Sequence, residues 1–512
     1  MITNILQYLE RSAQNHKNKI AFADADTCIS FSELEQKAKA VGSYIGAHSA
    51  QCKPVAVFMD KSVGAITAFM GAVYGGCFYI MLDAAQPVER INKQLSILDC
   101  DIIITDARHL SAAKALAFNG EIADIVQIIE TPIDANTLES IMRRAINTNP
   151  LYAMFTSGST GVPKCVVVSH RSTIDFIEYF AEIFAVDESD VIANQAPLDF
   201  DVSVKDIYLA LSTGATVQLI PRAYFSFPTK LMDFLCERRV TTLIWAVSAL
   251  CFVSTMKGLS YKVPSEVKRI MFSGEVMPIK HLNIWREYLP NAMYVNLYGP
   301  TEITCNCTYY ILDREFQDGE VIPAGIPFPN EKVILLDEND HLITEENTKG
   351  ELCVSGTALA LGYYNDAERT RQSFVQNPTN DKYQERIYRT GDIAYYNANG
   401  LLVYATRKDN QIKHLGHRIE LGEIETAMDG IDGVVRSVCT FWKDKGRLVA
   451  FYLGETDAKS ITAVLKSILP AFMLPNVFVH KDALPMTKNG KIDRKALLAE
   501  YIELKEKSRN GG

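Results

Sequence analysis

Short apolar runs alternate with amphipathic stretches up to about Val321, and this alternation limits the fold more than any other feature. The runs that start at Asp101 ("DIIIT"), Thr241 ("TTLIWAV") and Arg269 ("RIMFSG") are apolar without interruption, as strands buried on both faces are. Between such runs lie stretches like "STIDFIEYFAEIF" from Ser172, whose apolar residues recur every three or four positions. The pattern predicts an α/β fold with a mainly parallel sheet covered by helices on both faces.

One uncharged run, Ser62 to Leu82, is long enough to cross a bilayer. Gly75 and Gly76 interrupt it, and charged residues stand immediately outside both ends. Because a Gly-Gly pair ends helices, we expect a buried helix, a turn and a buried strand here, and no integral membrane protein.

Beyond Val321 the strands become short and are separated by Gly, Asn and Asp. The turn "NANG" between "IAYY" and "LLVYA" indicates a hairpin, so this region should form a smaller antiparallel unit. A basic stretch follows Arg407, and after it comes a mixed α/β tail.

Composition excludes some classes of protein. The 512 residues are too many for one core, and a net charge of −9 argues against nucleic acid as a general partner. Eleven cysteines occur without a C-x-x-C motif and nine histidines without H-E-x-x-H, so a zinc site or a disulfide framework is not expected. The N-terminal segment lacks the residue order of a signal peptide, and the expected location is the cytoplasm.

The stretch "FTSGSTGVPK", Phe155 to Lys164, almost matches the P-loop pattern G-x-x-x-x-G-K-[ST]. Pro163 occupies the position of the second Gly, and Cys165 replaces the Ser or Thr that would hold Mg²⁺. A loop rich in Gly, Ser and Thr after a strand supplies clustered N–H and hydroxyl groups for phosphate. By itself the stretch is open to three interpretations: a damaged P-loop, a different phosphate-binding loop, or a flexible surface loop.

Four further motifs follow in order: "NLYGPTE" (Asn296–Glu302), "YRTGD" (Tyr388–Asp392), "RKDNQIKHLGHRIELGEIE" (Arg407–Glu425) and "MTKNGKIDRKAL" (Met486–Leu497). Together with the Ser/Thr/Gly loop they resemble the core motifs of the adenylate-forming (ANL) superfamily. The resemblance implies an N-terminal core over residues 1–408, with two doubly wound sheets and a small distorted β-barrel. It also implies a small mobile α+β lid over residues 409–512.

In that family the nucleotide site binds ATP with Mg²⁺. The resemblance implies that Tyr298 stacks on adenine, Asn296 reads its amino edge, and Asp392 accepts from the ribose hydroxyls. Thr301 would contact the α-phosphate, and Glu302 would hold Mg²⁺. A plain salt bridge is the alternative for Asp392 and Arg407. The full implied ATP set is Thr156, Ser157, Gly158, Ser159, Thr160, Gly161, Lys164, Gly274, Glu275, Asn296, Leu297, Tyr298, Gly299, Asp392 and Arg407.

Three residues of the C-terminal part also match family positions. Lys491 would stabilise the negative charge that gathers at the α-phosphate when a carboxylate attacks it, and it joins Thr301 and Glu302 as a predicted catalytic residue. Asp409 matches the hinge on which the lid turns between two half-reactions. Gly416 fits a place where phosphopantetheine passes close to the backbone.

The segment "PLDFDVSVKDIY" resembles the one in which amino-acid-activating members bind the substrate ammonium, at Asp201. A helix cap is the alternative for Asp201, and a solvent-facing side chain is the alternative for Lys205. The spacing of the motifs and the segment "FSGEVMP" most resemble those of D-alanine–carrier protein ligases, although Ser273 replaces the Cys that these enzymes usually have. A Lys205 inside the pocket would instead suit an acidic substrate. The remaining implied pocket residues are Val202, Lys205, Ile244, Met271, Ser273, Leu297, Cys305 and Asn306.

The expected function is therefore adenylation of an amino acid, with transfer to the phosphopantetheine of a separate carrier protein. An acyl- or aryl-CoA synthetase and an inactive nucleotide-binding protein are the competing interpretations. Asp201 favours the first over the CoA synthetase, because a fatty or aryl acid gains nothing from a buried carboxylate.

Overall fold

The computed structural model describes residues 2–158, 162–317, 319–408, 411–486 and 492–510. Their contacts divide them into two compact units. The first unit consists of Met1–Ala84, Ile97–Phe155 and Cys165–Lys408. The second consists of Ala85–Ser96, Thr156–Lys164 and Asp409–Gly512. The roles predicted for the two parts of the chain, an ATP-binding core and a mobile lid, stay predictions.

A nine-stranded sheet forms one large layer of the first unit. Its central strands are parallel, and both edges end in antiparallel strands. All five residues of the strand Arg269–Ser273 are buried, which explains its uninterrupted apolar sequence. The strands in spatial order are Ile326–Pro327, Thr308–Ile311, Met293–Tyr298, Arg269–Ser273, Thr242–Ala246, Val191–Asn194, Thr216–Leu219, Ile20–Ala23 and Cys28–Ser30.

A seven-stranded sheet forms the other large layer. Its five strands from Pro150–Thr156 to Glu121–Asp124 are parallel, and the edge strand Gly362–Tyr363 is antiparallel to its neighbour Lys164–Ser169. Its strands in spatial order are Gly362–Tyr363, Lys164–Ser169, Pro150–Thr156, Phe78–Leu82, Pro54–Phe58, Ile102–Thr105 and Glu121–Asp124.

A six-stranded antiparallel sheet completes the first unit and contains the predicted hairpin. Leu402–Arg407 pairs with Arg386–Tyr396 across the "NANG" turn. The other strands are Leu342–Ile343, Glu331–Leu336, Gly350–Gly356 and Phe374–Gln376. With the two parallel-rich sheets, this curled sheet confirms the predicted fold class.

The uncharged run folds as predicted. Ser62 Oγ caps the helix Val63–Tyr74 by accepting from Ala65 N (3.2 Å), and the strand Phe78–Leu82 follows the Gly75-Gly76 turn. Among the helices that the structure describes, none has the length and apolar character of a membrane span.

Helix Val202–Thr213 is buried almost all round, because it lies between the two large sheets. Tyr208 of this helix shares a hydrogen bond of 2.8 Å with Tyr79 of the seven-stranded sheet. Met81 and Val217, from the two different sheets, belong to the same core as Tyr208. The other helices of the first unit are Leu6–Asn15, Phe31–His48, Val63–Tyr74, Leu110–Lys114, Ile125–Ile128, Ala135–Arg144, His170–Ile183, Pro228–Glu237, Val247–Thr255, Gly258–Tyr261, Ile279–Tyr288 and Ala367–Ser373, with 3-10 turns at Arg222–Ser226 and Thr301–Ile303.

The second unit has its own core around a three-stranded sheet and a hairpin. Leu415 and Gly416 both have positive φ (54° and 80°), as a tight two-residue hairpin turn requires. The turn is therefore a structural reason for glycine at position 416. The strands are Gln411–His414, His417–Glu420, Val434–Trp442, Arg447–Gly454 and Val477–His480. The helices are Val88–Ile97, Leu421–Asp429, Ala458–Ile468 and Arg494–Asn510, with 3-10 turns at Lys443–Lys445 and Ala471–Met473.

Candidate active site

Three parallel strands of the nine-stranded sheet end side by side and bring several predicted site residues together. Ala246 pairs with Ser273, and Phe272 pairs with Asn296, so the carboxyl ends of these strands share one edge. Ligands of open α/β sheets bind at such an edge. The predicted residues carried by these strands are Ile244, Met271, Ser273, Asn296, Leu297 and Tyr298.

Asp201 stands immediately before helix Val202–Thr213 without capping it. Its backbone is helical (φ −61°, ψ −24°), and its side chain accepts no capping hydrogen bond. Val202 is half-buried beside it. The cap interpretation of Asp201 is therefore wrong. Its carboxylate is near enough to Tyr152 and Cys305 to raise the pKa of both groups, in addition to the larger effect of burial.

Lys205 lies one turn further along the same helix and is fully buried. Its Nζ donates to Asn306 Oδ1 at 2.8 Å and to Cys305 Sγ at 3.1 Å. The solvent-facing interpretation of Lys205 is wrong. The predicted pocket residues Lys205, Cys305 and Asn306 are in direct contact.

The loop after strand Met293–Tyr298 folds back on itself. Cys307 N donates to Tyr298 O (2.8 Å), and a Cβ at Gly299 would lie 2.5 Å from Asn306 Cα. Only glycine permits this approach of backbone to backbone. The close approach is therefore a structural reason for glycine at position 299, in addition to its predicted contact with ATP.

At the predicted ribose position, Asp392 is 2% exposed and joins two other predicted residues. Arg407 Nη1 lies 2.7 Å from Asp392 Oδ1, and Tyr298 Oη donates to Asp392 Oδ2. Burial and the Asp392 charge raise the pKa of Tyr298 well above its ordinary value. The salt bridge between Asp392 and Arg407 is thus present, and ribose hydroxyls would have to share or replace these contacts.

Two residues at the predicted adenine end have backbone or side-chain positions that suit a ligand. Asn296 Nδ2 donates to Pro323 O at 2.8 Å, which orients the amide and leaves Oδ1 as the acceptor for an amino group. Gly274, before the half-buried Glu275, has a φ of +95° that disfavours any side chain.

Glu302 is the predicted Mg²⁺ ligand and is completely buried. Tyr363 Oη donates to Glu302 Oε1 at 2.9 Å, and Ala360 N donates to Glu302 O at 2.9 Å. The half-buried Thr301 begins the same 3-10 turn. Within the part of the chain that the structure describes, no cluster of three His, Cys, Asp or Glu could hold a metal alone. A single carboxylate still fits Mg²⁺, which takes one or two carboxylates with substrate phosphates and water. Tyr363 was not predicted as a site residue, because no sequence motif marks its position.

Parts of the predicted phosphate loop contact a backbone carbonyl and two acidic side chains of the same second unit. Ser157 Oγ donates to Arg418 O at 2.9 Å, and Lys164 Nζ lies 3.6 Å from Glu420 Oε1. The Gly158 N–H donates to the carboxylate of Glu423, whose pKa is raised by burial. The loop therefore already offers an N–H and an ammonium to carboxylate oxygens, the donors that phosphate oxygens need. Thr156 Oγ1 is buried nearby without a hydrogen bond.

Several predicted residues lie outside the described residues. They are Ser159, Thr160 and Gly161 of the phosphate loop, the hinge residue Asp409 and the catalytic candidate Lys491. Their predicted roles stay predictions.

Comparison with known proteins relates this chain to the AMP-binding enzymes. A family model described as AMP-binding enzyme matches residues 9–364. An L-proline–[L-prolyl-carrier protein] ligase of Streptomyces coelicolor is 30% identical over 95% of this chain and 94% of that protein. Tyrocidine synthase 1 of Brevibacillus parabrevis is 28% identical over 96% of this chain, but this chain spans only 45% of the length of that relative.

Solved structures agree with the fold. The adenylation domain AlmE of Vibrio cholerae, solved with glycyl-adenosine-5'-phosphate, superposes with a TM-score of 0.85 at 24% identity, over 98% of both chains. Holo-PA1221, described as containing adenylation and PCP domains, gives a TM-score of 0.79 at 25% identity, over 97% of this chain and 84% of that one. The match over residues 9–364 and the full-length similarity to the prolyl-carrier protein ligase confirm the family predicted from the motifs: the chain belongs to the AMP-binding, adenylate-forming enzymes.

Proposed function

We propose that this protein is an ATP-dependent, AMP-forming ligase that activates an amino acid and passes it to a carrier protein. The position of Asp201 carries the amino-acid part of this proposal. Its carboxylate is near enough to Tyr152 and to the pocket residue Cys305 to raise the pKa of both groups, and it does not cap its own helix. A substrate ammonium is the natural partner for a partly buried carboxylate.

In the first step an oxygen of the substrate carboxylate attacks the α-phosphorus of ATP, and the bond to pyrophosphate breaks. Asp201 holds the ammonium, so the substrate carboxylate is presented to ATP in one orientation. Tyr298 and Asn296 position adenine, and Asp392 with Arg407 positions the ribose. Mg²⁺ held by Glu302 would offset the phosphate charge, and Lys491 would stabilise the charge at the α-phosphate.

In the second step a thiolate attacks the carbonyl carbon of the aminoacyl-adenylate, and AMP leaves. The thiol proton passes to solvent, so the products are an aminoacyl thioester and AMP. The proposed thiol is the phosphopantetheine of a separate carrier protein. The similarity to a prolyl-carrier protein ligase over nearly its whole length supports this acceptor.

D-alanine is the substrate that the motif spacing predicts, with a D-alanyl carrier protein as acceptor in teichoic acid modification. An acidic or β-amino acid for a peptide or polyketide pathway is the second candidate. The buried Lys205 favours an acidic substrate, because an alanine side chain carries no group for a lysine to bind.

Loading of a purified phosphopantetheinylated carrier protein, followed by intact mass, tests the proposal. With ATP and the right amino acid, the carrier should gain the mass of one aminoacyl group, and CoA should be a poor acceptor. Efficient loading of CoA with a fatty or aryl acid, without any amino acid on the carrier, would refute it.

A further inference from the structure

Lys61 connects the two large sheets of the first unit at the carboxyl ends of their strands. It lies just after the strand Pro54–Phe58 of the seven-stranded sheet, and its ammonium contacts the end of the strand Val191–Asn194 of the nine-stranded sheet. The acceptors of its Nζ are Asn194 Oδ1 (3.0 Å), Asn194 O (3.2 Å), Gln195 O (3.3 Å) and Ala196 O (3.4 Å). One ammonium therefore holds three successive backbone carbonyls.

The ammonium of Lys61 is placed there against the cost of burying a charge. The residue as a whole is half-buried, and burial lowers the pKa of Lys61 to about 7, while the charge of Asp206 acts against this decrease. Oxygens of the turn 194–196 provide the hydrogen bonds that offset the burial. An apolar side chain in place of Lys61 would remove the donor that these oxygens share.

Asn194 extends the contact from Lys61 to the helix Val202–Thr213. Because Asn194 Oδ1 accepts from Lys61, its Nδ2 is the atom left to donate, and it donates to Asp206 Oδ2 at 2.6 Å. Asp206 is completely buried in the first half of that helix. Lys61 thus fixes which way round the Asn194 amide lies, and the amide in turn holds the helix.

The short segment between this turn and the helix carries Asp201, the proposed partner of the substrate ammonium. Residues 197–200 alone separate Ala196 from Asp201. Both ends of the segment are connected to Asn194, the start through the shared contact with Lys61 and the end through Asp206. A change at Lys61 should therefore move Asp201, although the two residues belong to different parts of the sequence.

We propose that Lys61 is a positioning residue for the amino-acid substrate, which holds the turn 194–196 and so sets the place from which Asp201 meets the substrate ammonium. The inference rests on the proposed function. Lys61 acts through Asp201 and does not itself bind the substrate. Since a displacement of about 1 Å far from the reacting atoms can lower a rate about 100-fold, a small shift of the segment suffices for a measurable effect.

Amino-acid-dependent ATP–pyrophosphate exchange tests the inference when the amino acid and ATP are varied separately. Lys61→Met keeps a long side chain and removes the N–H donors. Its kcat/KM for the amino acid should fall by at least about 10-fold, mostly through KM, while KM for ATP stays within about twofold. Lys61→Arg keeps a cation with several N–H donors and should recover most of the loss. A lower kcat with an unchanged KM for the amino acid would mean only a smaller folded fraction, and would overturn the inference.

Two further variants complete the test. Lys17→Met, at an exposed lysine, is the matched control and should leave both KM values unchanged. Asn194→Ser shortens the side chain that connects Lys61 with Asp206, and it should also raise KM for the amino acid more than KM for ATP. If Lys61→Met does not fold, an unchanged KM for the amino acid in Asn194→Ser overturns the inference. Wild-type enzyme without any amino-acid-dependent exchange would instead refute the proposed function, so the two failures are distinguishable.

Discussion

The pair formed by Asp392 and Arg407 gives the sharpest prediction about stability. The side chains are 2% and 8% exposed, and Asp392 accepts from both Arg407 and Tyr298. Asp392→Asn keeps the volume but removes the carboxylate that balances the Arg407 charge. Taking one partner from a buried ion pair costs about 3 kcal/mol or more. We therefore expect the free energy of unfolding of the first unit to fall by about 3 kcal/mol.

Urea unfolding followed by tryptophan fluorescence measures this change, because Trp245 and Trp285 are both buried in the first unit. Tyr298→Phe is the matched control. It removes one hydrogen bond and leaves the ion pair, so it should cost only about 1 kcal/mol. The double variant Asp392→Asn/Arg407→Met should lose less than the sum of its single variants by about 1 kcal/mol or more. A loss below about 1 kcal/mol for Asp392→Asn, or strict additivity, would refute the reasoning.

Three other changes test different parts of the structure. Gly299→Ala places a Cβ 2.5 Å from a backbone atom and should lower the free energy of unfolding by about 2 kcal/mol, measured in urea. In the control Gly430→Ala the new Cβ lies 3.6 Å from its nearest atom, and the loss should be under about 0.5 kcal/mol. Equal losses would contradict the close approach at Gly299. Burial raises the pKa of Asp206 from 3.8 to about 7, so between those values the native state binds a proton that the unfolded state releases, and stability falls as pH rises. Asp206→Asn should flatten this decline between pH 5 and pH 7 in urea midpoints, and an unchanged decline would count against the burial argument. Lys408 and Arg418 belong to the basic stretch that follows Arg407, which we propose to complement an acidic carrier protein. Lys408→Ser with Arg418→Ser should therefore slow loading of the carrier protein and leave pyrophosphate exchange intact, and an equal loss of both would argue against this role.

Much of the fold follows from local patterns in the sequence. Uninterrupted apolar runs such as Arg269–Ser273 are buried on both faces, and the Gly75-Gly76 turn divides the uncharged run into a helix and a strand. The "NANG" hairpin was likewise predicted from its turn residues. These features depend on neighbours in the chain, which is why periodicity and turn chemistry suffice.

Whether the Lys205 side chain faces solvent or the interior could not be predicted in the same way. Helix Val202–Thr213 is buried almost all round and carries no regular polar face, so its periodicity marks no solvent side, and the lysine could be assigned to either environment. Its partner Asn306 is 101 residues away in the sequence, and the contact depends on the strained φ of Thr304. The hydrogen bond from Tyr363 to Glu302, 61 residues apart, was equally invisible.

The most direct test of the central claim is ATP–pyrophosphate exchange that depends on an amino acid, with Lys491→Ala as the inactive control. The account predicts exchange with a narrow set of amino acids, none with carboxylic acids that lack an amino group, and its loss in the lysine variant. Exchange driven by simple carboxylic acids alone would show that Asp201 does not bind an ammonium, and would contradict the account.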